Sequence, residues 1–335
     1  MPELIENLVS IIIPVRNRPV MLREAVESVL AQTYRPIEVI ICDDNSTDET
    51  FDIACRLAEE YPEDIRVVKN PMRGPGPARE TGRQLARGEF IQYLDSDDLL
   101  LPRKFEVLVA VLREHTDCGA AYGPTRYMTV DGQVLSERSK WSGRGYEFLF
   151  PWFLVDRWWS TGTPLFRRSV CDAAGPWSDL PYSQDWEYDA RIGSMKVKLA
   201  FCEETLSAVR VHPNARQTGK GLWLVPRDRV RFFSLLFKYA TQAGVSVDCK
   251  EMRHFFRWVF MNARECGAHG DAKSARSCFE IAARARESLP FDFQIYRFLS
   301  WLVGWCLMGR LTTSFDRMPW RRPGRETLKL SGMDK

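Results

Sequence analysis

The stretch Ile37-Glu38-Val39-Ile40-Ile41-Cys42, followed at once by Asp43-Asp44-Asn45-Ser46-Thr47-Asp48, decides how the rest of the chain reads. The first part is a nearly unbroken apolar, β-branched run, the pattern of a strand covered on both faces. The second part is a burst of acids and turn formers. There Thr47 with Thr50, or Asp48, suits the cap of a helix that runs to about Glu60. Outward on the N-terminal side, Val9 to Val15 repeats the buried-strand pattern. Pro19 then opens a helix with Leu22, Ala25, Val26, Val29 and Leu30 on one face. On the C-terminal side come a strand over Ile65–Val68, a Gly/Pro-rich loop from Asn70 to Pro77, and a helix from about Ala78 to Arg87. A strand over Phe90–Leu94 ends in Asp95-Ser96-Asp97-Asp98, and Pro102 starts a helix reaching about Glu114. Strands alternating with helices at this spacing predict an α/β fold, Rossmann-like, with a mostly parallel sheet flanked by helices. Ligands in such sheets sit beyond the carboxyl ends of the strands, and both acid bursts fall at that end.

The 335 residues are 45% hydrophobic and 27% charged, with a net charge of +3. That balance suits a globular protein with a sizeable core, and no charge excess points to nucleic acid. The nine cysteines show no C-x-x-C pair. Cys42 and Cys202 read as small core residues, and a reducing, cytoplasmic compartment fits better than a disulfide framework. Leu8–Val15 is too short for a signal-peptide core with its cleavage site, and no run reaches the roughly 18 uncharged apolar residues of a membrane span.

From Cys118 to about Val211 the pattern is mixed: a hairpin over Tyr127–Leu135 with an Asp131-Gly132 turn, an aromatic stretch from Trp141 to Trp159, a short strand over Thr163–Phe166, and a helix over Gln184–Met195. Two short strands flank Glu203-Glu204. After about Gly221 long helical patterns take over, over Val230–Ala243, Lys250–Glu265 and Ala272–Glu287. The chain therefore divides, by this reading, into a catalytic domain over 1–220 and a helical region over 221–335.

Asp95 and Asp97 lie two apart at the end of a strand, so both carboxylates point the same way. Hard cations such as Mg²⁺ or Mn²⁺ take carboxylate oxygens together with the oxygens of a diphosphate, and such an ion neutralises a diphosphate leaving group. A bare Asp-x-Asp equally suits a solvated turn. Asp44 can accept from a nucleobase N–H or from ribose hydroxyls, or it can close an Asx-turn. Gly74-Pro75-Gly76-Pro77-Ala78-Arg79 is neither a Walker loop nor a dinucleotide fingerprint. Arg79, badly placed for the helix dipole, reads as reaching outward to base or phosphate, or as a surface arginine. Asp185 begins a helical run that shares a face with Asp189 at i,i+4. It serves either the helix dipole or an acceptor hydroxyl as general base. His212 follows a strand, where it can ligate the metal or do nothing. Trp152, Trp158, Trp159 and Trp177 suit sugar stacking or the core.

Taken together, in order and spacing, these segments resemble glycosyltransferase family 2, with its GT-A fold, over about residues 8–216. The carriers are Ser10–Asn17, Glu24–Thr33, Glu38–Asp48, Gly76–Arg79 and Gly88–Asp98. The resemblance implies an inverting, metal-assisted transferase that moves a sugar from a nucleotide-diphosphate sugar donor to a hydroxyl acceptor. Pro14 and Asn17 would lie at the donor nucleotide, with Asp44 at the nucleobase and Arg79 and Ser96 beside the donor. Asp95 would stand near the ribose, Asp97 and His212 at the metal, and Asp185 would be the base. The family usually has Glu-Asp at the base; here it is Gln184-Asp185. The Gln-x-x-Arg-Trp motif of processive members is absent, so transfer of a single sugar to a glycan, lipid-linked glycan or polysaccharide precursor is expected. A nucleotidyltransferase would carry a glycine-rich, lysine-bearing loop after the first strand, where Pro14-Val15-Arg16-Asn17-Arg18 stands. A non-catalytic nucleotide-sugar-binding module would lack one of the three acids Asp95, Asp97 or Asp185. The region 221–335 has no matching motif. Its Phe291–Met308 stretch, rich in Phe, Trp and Leu beside basic residues, suits contact with an anionic membrane surface, and the alternatives are a packed subdomain or an oligomer contact.

Overall fold

The buried β-branched runs form the centre of a seven-stranded sheet. The structure, a computed structural model, describes residues 2–138, 141–212, 225–284 and 291–316. Two compact units make up the chain, one of Met1–Trp223 with Leu235–Val245, the other of Leu224–Ser234 with Ser246–Lys335.

In the first unit the order is β1 (Ile5–Val15), α1 (Pro19–Leu30), β2 (Ile37–Asp43), α2 (Thr50–Glu60), β3 (Ile65–Lys69), α3 (Pro75–Leu85), β4 (Gly88–Tyr93), β5 (Leu99–Leu100) and α4 (Lys104–Glu114). There follow β6 (Ala120–Tyr122), β7 (Thr125–Thr129), β8 (Val134–Ser136), β9 (Leu165–Arg167), α5 (Arg168–Ala174), α6 (Gln184–Ser194), β10 (Leu199–Phe201) and β11 (Ser207–Val211). The main sheet has the order β10-β6-β9-β4-β1-β2-β3. β9 runs antiparallel to both of its neighbours and the other pairs are parallel. A second, four-stranded sheet has the order β5-β11-β7-β8.

Alternate residues of β1 feed two layers. Val9, Ile11, Ile13 and Val15 pack with Leu22, Val26 and Val29 of α1 and with Phe105, Leu108 and Val109 of α4. Ile12 and Cys42 face α3, which comes so close that a Cβ on Gly82 would lie 2.4 Å from Ile12 Cγ2 and 2.9 Å from Cys42 Sγ. Burial on both faces explains why these strands read as continuous apolar runs rather than as alternation. Full burial of each Ile or Val contributes roughly 1.5–3 kcal/mol.

Two local details differ from the sequence reading. α3 starts at Pro75, ahead of Ala78, because two prolines occupy its first turn, where no N–H is needed, and Gly74 supplies φ +117° just before them. After the Asp95–Asp98 turn, Leu99–Leu100 pairs with β11, so the next helix begins at Lys104 and not at Pro102. Asp48 accepts from the Thr50 N–H at 3.0 Å and so supports the start of α2. The hairpin at Gly132, with φ +93°, forms between β7 and β8. All nine cysteines are free thiols.

α7 (Pro226–Gln242) gives residues to both units. The second unit also holds α8 (Lys250–Ala268), α9 (Ala272–Ala282), α10 (Phe291–Val303) and α11 (Trp305–Asp316). Its core is aromatic: Phe260 stacks on Phe293 at 3.8 Å between centroids, and Phe233 meets Trp258 edge-on at 4.8 Å. Glu287 and the basic tail from Arg317 lie outside the described residues. Among the described residues no helix is long and apolar enough to cross a membrane.

Candidate active site

The carboxyl ends of β1, β2 and β4 carry the sequence-singled residues. Pro14 is buried in β1 opposite Cys42. Asn17, exposed and left-handed at φ +51°, joins two loops: its Oδ1 accepts from the Thr47 N–H at 2.9 Å and its N–H donates to Ser46 at 3.1 Å. Asp43 takes the Asx-turn role, accepting from the Ser46 N–H at 3.2 Å.

Asp44 is buried at 5% exposure and serves the chain's own loop. Its Oδ1 accepts from Asn70 Nδ2 and from the Gly74 N–H, each at 2.9 Å, and Oδ2 shares the Gly74 N–H at 3.0 Å. A carboxylate has about four lone-pair sites, so Oδ2 retains one for a further donor. These bonds hold the β3–α3 loop and, with it, the start of α3.

That helix start delivers Arg79. At 4% exposure the side chain is buried, so of the two readings of its position the plain surface arginine does not hold. Its Nη2 meets Asp95 Oδ1 at 2.5 Å, and its guanidinium lies 4.8 Å over the Trp177 ring. Its Nε and Nη1 are buried with no hydrogen-bond partner among the described residues. Trp177 is itself stacked on Tyr188 at 4.1 Å. The first turn of α3 also crowds the loop before α6, where a Cβ on Gly76 would lie 2.2 Å from the Ser178 carbonyl oxygen.

Asp97 Oδ2 lies 2.5 Å from Arg18 Nη1 and 3.2 Å from His212 Nε2. The imidazole nitrogen is close to the carboxylate but not aligned for a hydrogen bond, and among the described residues it has no other partner. Ser96 is buried between the two acids in sequence. Asp98 turns inward and accepts from the Arg210 N–H at 3.1 Å. Burial, with Asp97 and Asp95 beside it, holds its carboxyl well above the usual carboxylate range. Among the described residues no three His, Cys, Asp or Glu side chains form a metal cage on their own. Asp97 and His212 nonetheless fit a hard ion that keeps most of its oxygens from water and a diphosphate.

Asp185 sits in the first turn of α6, accepting from the Trp186 N–H at 2.8 Å. Its Oδ2 meets Arg157 Nη1 at 2.8 Å. The same guanidinium meets Asp189 Oδ2 at 2.8 Å, and Asp189 also accepts from Trp159 Nε1 at 3.0 Å. Burial pushes the Asp185 carboxyl up, but the charges of Arg157 and Arg79 outweigh it and hold the group below its ordinary value. Burial pushes Asp189 up to about 6 in spite of its ion pair. The charge of Asp95 also reaches Arg157. Thus Arg79 and Arg157 tie the Asp95 end of β4 to the Asp185 end of α6. Glu187 takes no part: it is buried against Arg191 and the Tyr239 hydroxyl.

Sequence reasoning missed Arg18 and Arg157. Arg157 lies in an aromatic stretch without periodicity, and only its tertiary partners mark it. Trp158, Trp159 and Trp177 are buried, at 0%, 1% and 6% exposure, so they belong to the aromatic core and not to an open sugar platform.

The sequence model of the family described as Glycosyl transferase family 2 matches residues 10–171. EpsE of Bacillus subtilis, a proposed glycosyltransferase, is 36% identical over 249 residues, 71% of this chain and 80% of EpsE. The Escherichia coli UDP-Glc:alpha-D-GlcNAc-diphosphoundecaprenol beta-1,3-glucosyltransferase WfaP is 42% identical over 98 residues, 29% of this chain and 38% of WfaP. Against WfaP, as against the Escherichia coli chondroitin synthase and YibD, the chain spans well under half the relative's length. Among solved structures, Staphylococcus aureus TarS 1–349 in complex with UDP-GlcNAc superposes with a TM-score of 0.63 at 14% identity, over 92% of this chain and 90% of that one. A mannosyltransferase from Pyrobaculum calidifontis in complex with GDP-Man and Mn²⁺ gives 0.53 at 17% identity, over 93% and 88%. At these identities the likeness shows a shared fold, that of GT-A glycosyltransferases. The length of the EpsE match, with the family model over residues 10–171, shows that this chain belongs to glycosyl transferase family 2.

Proposed function

We propose that the chain is an inverting glycosyltransferase that moves one sugar from a nucleotide-diphosphate sugar to a hydroxyl of a glycan, lipid-linked glycan or polysaccharide precursor. The observation that carries the reading is the set of paired groups after β4 and at the start of α6: Asp97 with Arg18 and His212, Asp95 with Arg79, and Asp185 with Arg157. Acids distant in sequence meet there with arginines that suit a diphosphate.

Pro14, Asn17 and Asp44 line the nucleotide end, with the remaining Oδ2 lone pair of Asp44 set to accept from base or ribose. The unpartnered Nε and Nη1 of Arg79 donate to donor oxygens, and Asp95 and Ser96 flank the ribose and sugar. Asp97 and His212 would hold Mg²⁺ or Mn²⁺, which when bound neutralises charge on the leaving diphosphate. Asp185 takes the proton of the acceptor hydroxyl as that oxygen attacks the anomeric carbon. The bond from that carbon to the diphosphate oxygen breaks on the opposite side, so the configuration inverts once. Uridine and guanosine donors are the first to test, since the two structural neighbours were solved with UDP-GlcNAc and GDP-Man. WfaP, by its name, acts on a diphosphoundecaprenol-linked sugar, which supports a lipid-linked acceptor and a place at the cytoplasmic face of a membrane. The helical region 221–335 then serves membrane contact or self-association.

The test is release of free sugar from a panel of UDP-, GDP-, dTDP- and CDP-sugars with Mn²⁺, Mg²⁺ or EDTA. One donor class should be hydrolysed only with metal, and Asp97→Ala should remove that activity while leaving the fold intact. Failure of every donor with either metal present would sink the assignment.

A further inference from the structure

The second unit turns an apolar helix face outward. Helix α10 buries Phe293, Tyr296 and Ser300. Its other side, which packing leaves to solvent, would ordinarily be polar. Here that side presents Phe291 and Trp301, at 77% and 78% exposure, with Phe298 and Leu302. Phe291, Phe298 and Leu302 recur at i, i+7 and i+11 and share a face, and Trp301 at i+10 stands at its edge. α11 adds exposed Leu307 and Leu311 four residues apart. Such a run of exposed large apolar side chains marks a contact surface rather than the scatter that normal surfaces show.

Charge says what the contact is. A groove of about 810 Å³ lies beside α10, lined by Phe279, Phe298, Trp301 and Trp305 together with Arg276 and Arg297. The acid among its lining residues, Glu280, is already paired with Arg276 at 2.9 Å. Arg297 and Arg310 are exposed on the same two helices. The sequence continues with Arg317, Arg321, Arg322 and Arg325. Trp and Phe above arginines that can extend along apolar surface toward phosphates is the side-chain mixture of a lipid headgroup boundary. A two-fold dimer through this face would gather Arg297 and Arg310 of both copies into one interface, an unfavourable like-charge arrangement.

We propose that the α10–α11 face, with its groove, docks on an anionic bilayer surface: Phe291, Phe298 and Trp301 enter the headgroup–acyl boundary and Arg297 and Arg310 meet lipid phosphates. The inference stands on this surface alone and does not rest on the glycosyl-transfer reading.

Flotation of the full chain with vesicles checks it. Vesicles of phosphatidylglycerol and phosphatidylcholine in equal parts should carry at least tenfold more protein than pure phosphatidylcholine, and 0.5 M salt should remove most of the difference. Phe298→Glu with Trp301→Glu should reduce binding to background, with helix content, melting temperature and donor hydrolysis unchanged. Arg297→Glu with Arg310→Glu should remove the preference for phosphatidylglycerol. No binding to the anionic vesicles would overturn the proposal, as would binding that survives Phe298→Glu with Trp301→Glu. A lipid-free dimer that this double substitution converts to monomer, seen by analytical ultracentrifugation, would assign the face to a second copy and overturn it too. Because donor hydrolysis is read on the same samples, failure here is distinguishable from failure of the transferase reading.

Discussion

At the scale of single residues, the arginine beside the proposed base sets its working range. Arg157 meets Asp185 and Asp189 at 2.8 Å each, and its charge, with that of Arg79, keeps Asp185 ionised below the ordinary carboxylate range. A base must be ionised to act, so turnover is lost only as pH falls through that depressed value. The acid limb should therefore lie low, and rates should be flat across neutral pH. Arg157→Met removes the largest opposing charge and leaves burial to act, so the Asp185 carboxyl rises and the acid limb of kcat/KM moves to higher pH. Arg157→Lys should hold the limb near its original place. Asp185→Asn should lower kcat by roughly 10²–10⁴-fold with little change in KM. A pH–rate series on the three variants decides it: an acid limb unmoved in Arg157→Met, or an Asp185→Asn enzyme of ordinary rate, would refute the assignment. The acids were legible in the sequence because each ends a strand or begins a helix, places where a run of apolar residues stops abruptly. Arg157 and Arg18 were not, since a flexible cation finds its partner through tertiary placement and leaves no periodic trace. Arg79 was legible as an anomaly, a cation at the wrong end of a helix, but its burial over Trp177 was not.

Elements tell the same story at the next scale. β1, β2 and β4 were readable because both faces are covered, which leaves long β-branched runs. In the second sheet the β7–β8 hairpin and the strand after Glu204 were readable, but β5 was not: it has two residues, too few for a period. β9 was readable as a short strand, but its antiparallel run between β4 and β6 was not, because three residues in a sheet do not encode direction. The loop–helix joint at α3 is the element on which the site most depends, since it carries Arg79 and receives Asp44. Its tightness rests on Gly76, whose missing side chain lets the helix start approach the Ser178 carbonyl. Gly76→Ala must push one backbone segment away from the other, a shift on the order of 1–3 kcal/mol when overpacked. Urea unfolding should show that loss of stability. Donor hydrolysis should fall more steeply than stability, because the displacement falls on Arg79. A Gly76→Ala protein with unchanged midpoint and rate would show that the contact is slack.

For the whole molecule, the proposed division of labour makes a calorimetric claim. The proposed donor site draws all of its residues from the unit of Met1–Trp223 with Leu235–Val245. The other unit has its own aromatic core around Phe260, Phe279 and Phe293. A ligand that binds only the folded form of one unit stabilises that unit by about 2.7 kcal/mol at a hundredfold excess over Kd. For a unit of 150–250 residues that corresponds to a rise of roughly 5–11 °C in its melting temperature. Scanning calorimetry of the full chain with Mn²⁺ and the matching nucleoside diphosphate should therefore move one transition and leave a second, smaller one in place. Asp97→Ala should cancel the part of the shift that needs metal. Anionic vesicles should act on the smaller transition instead, since the exposed α10–α11 face belongs to the second unit. Were a single transition to move as a whole with either ligand, the two units would melt as one, and the assignment of donor binding and membrane contact to separate cores would have to be given up.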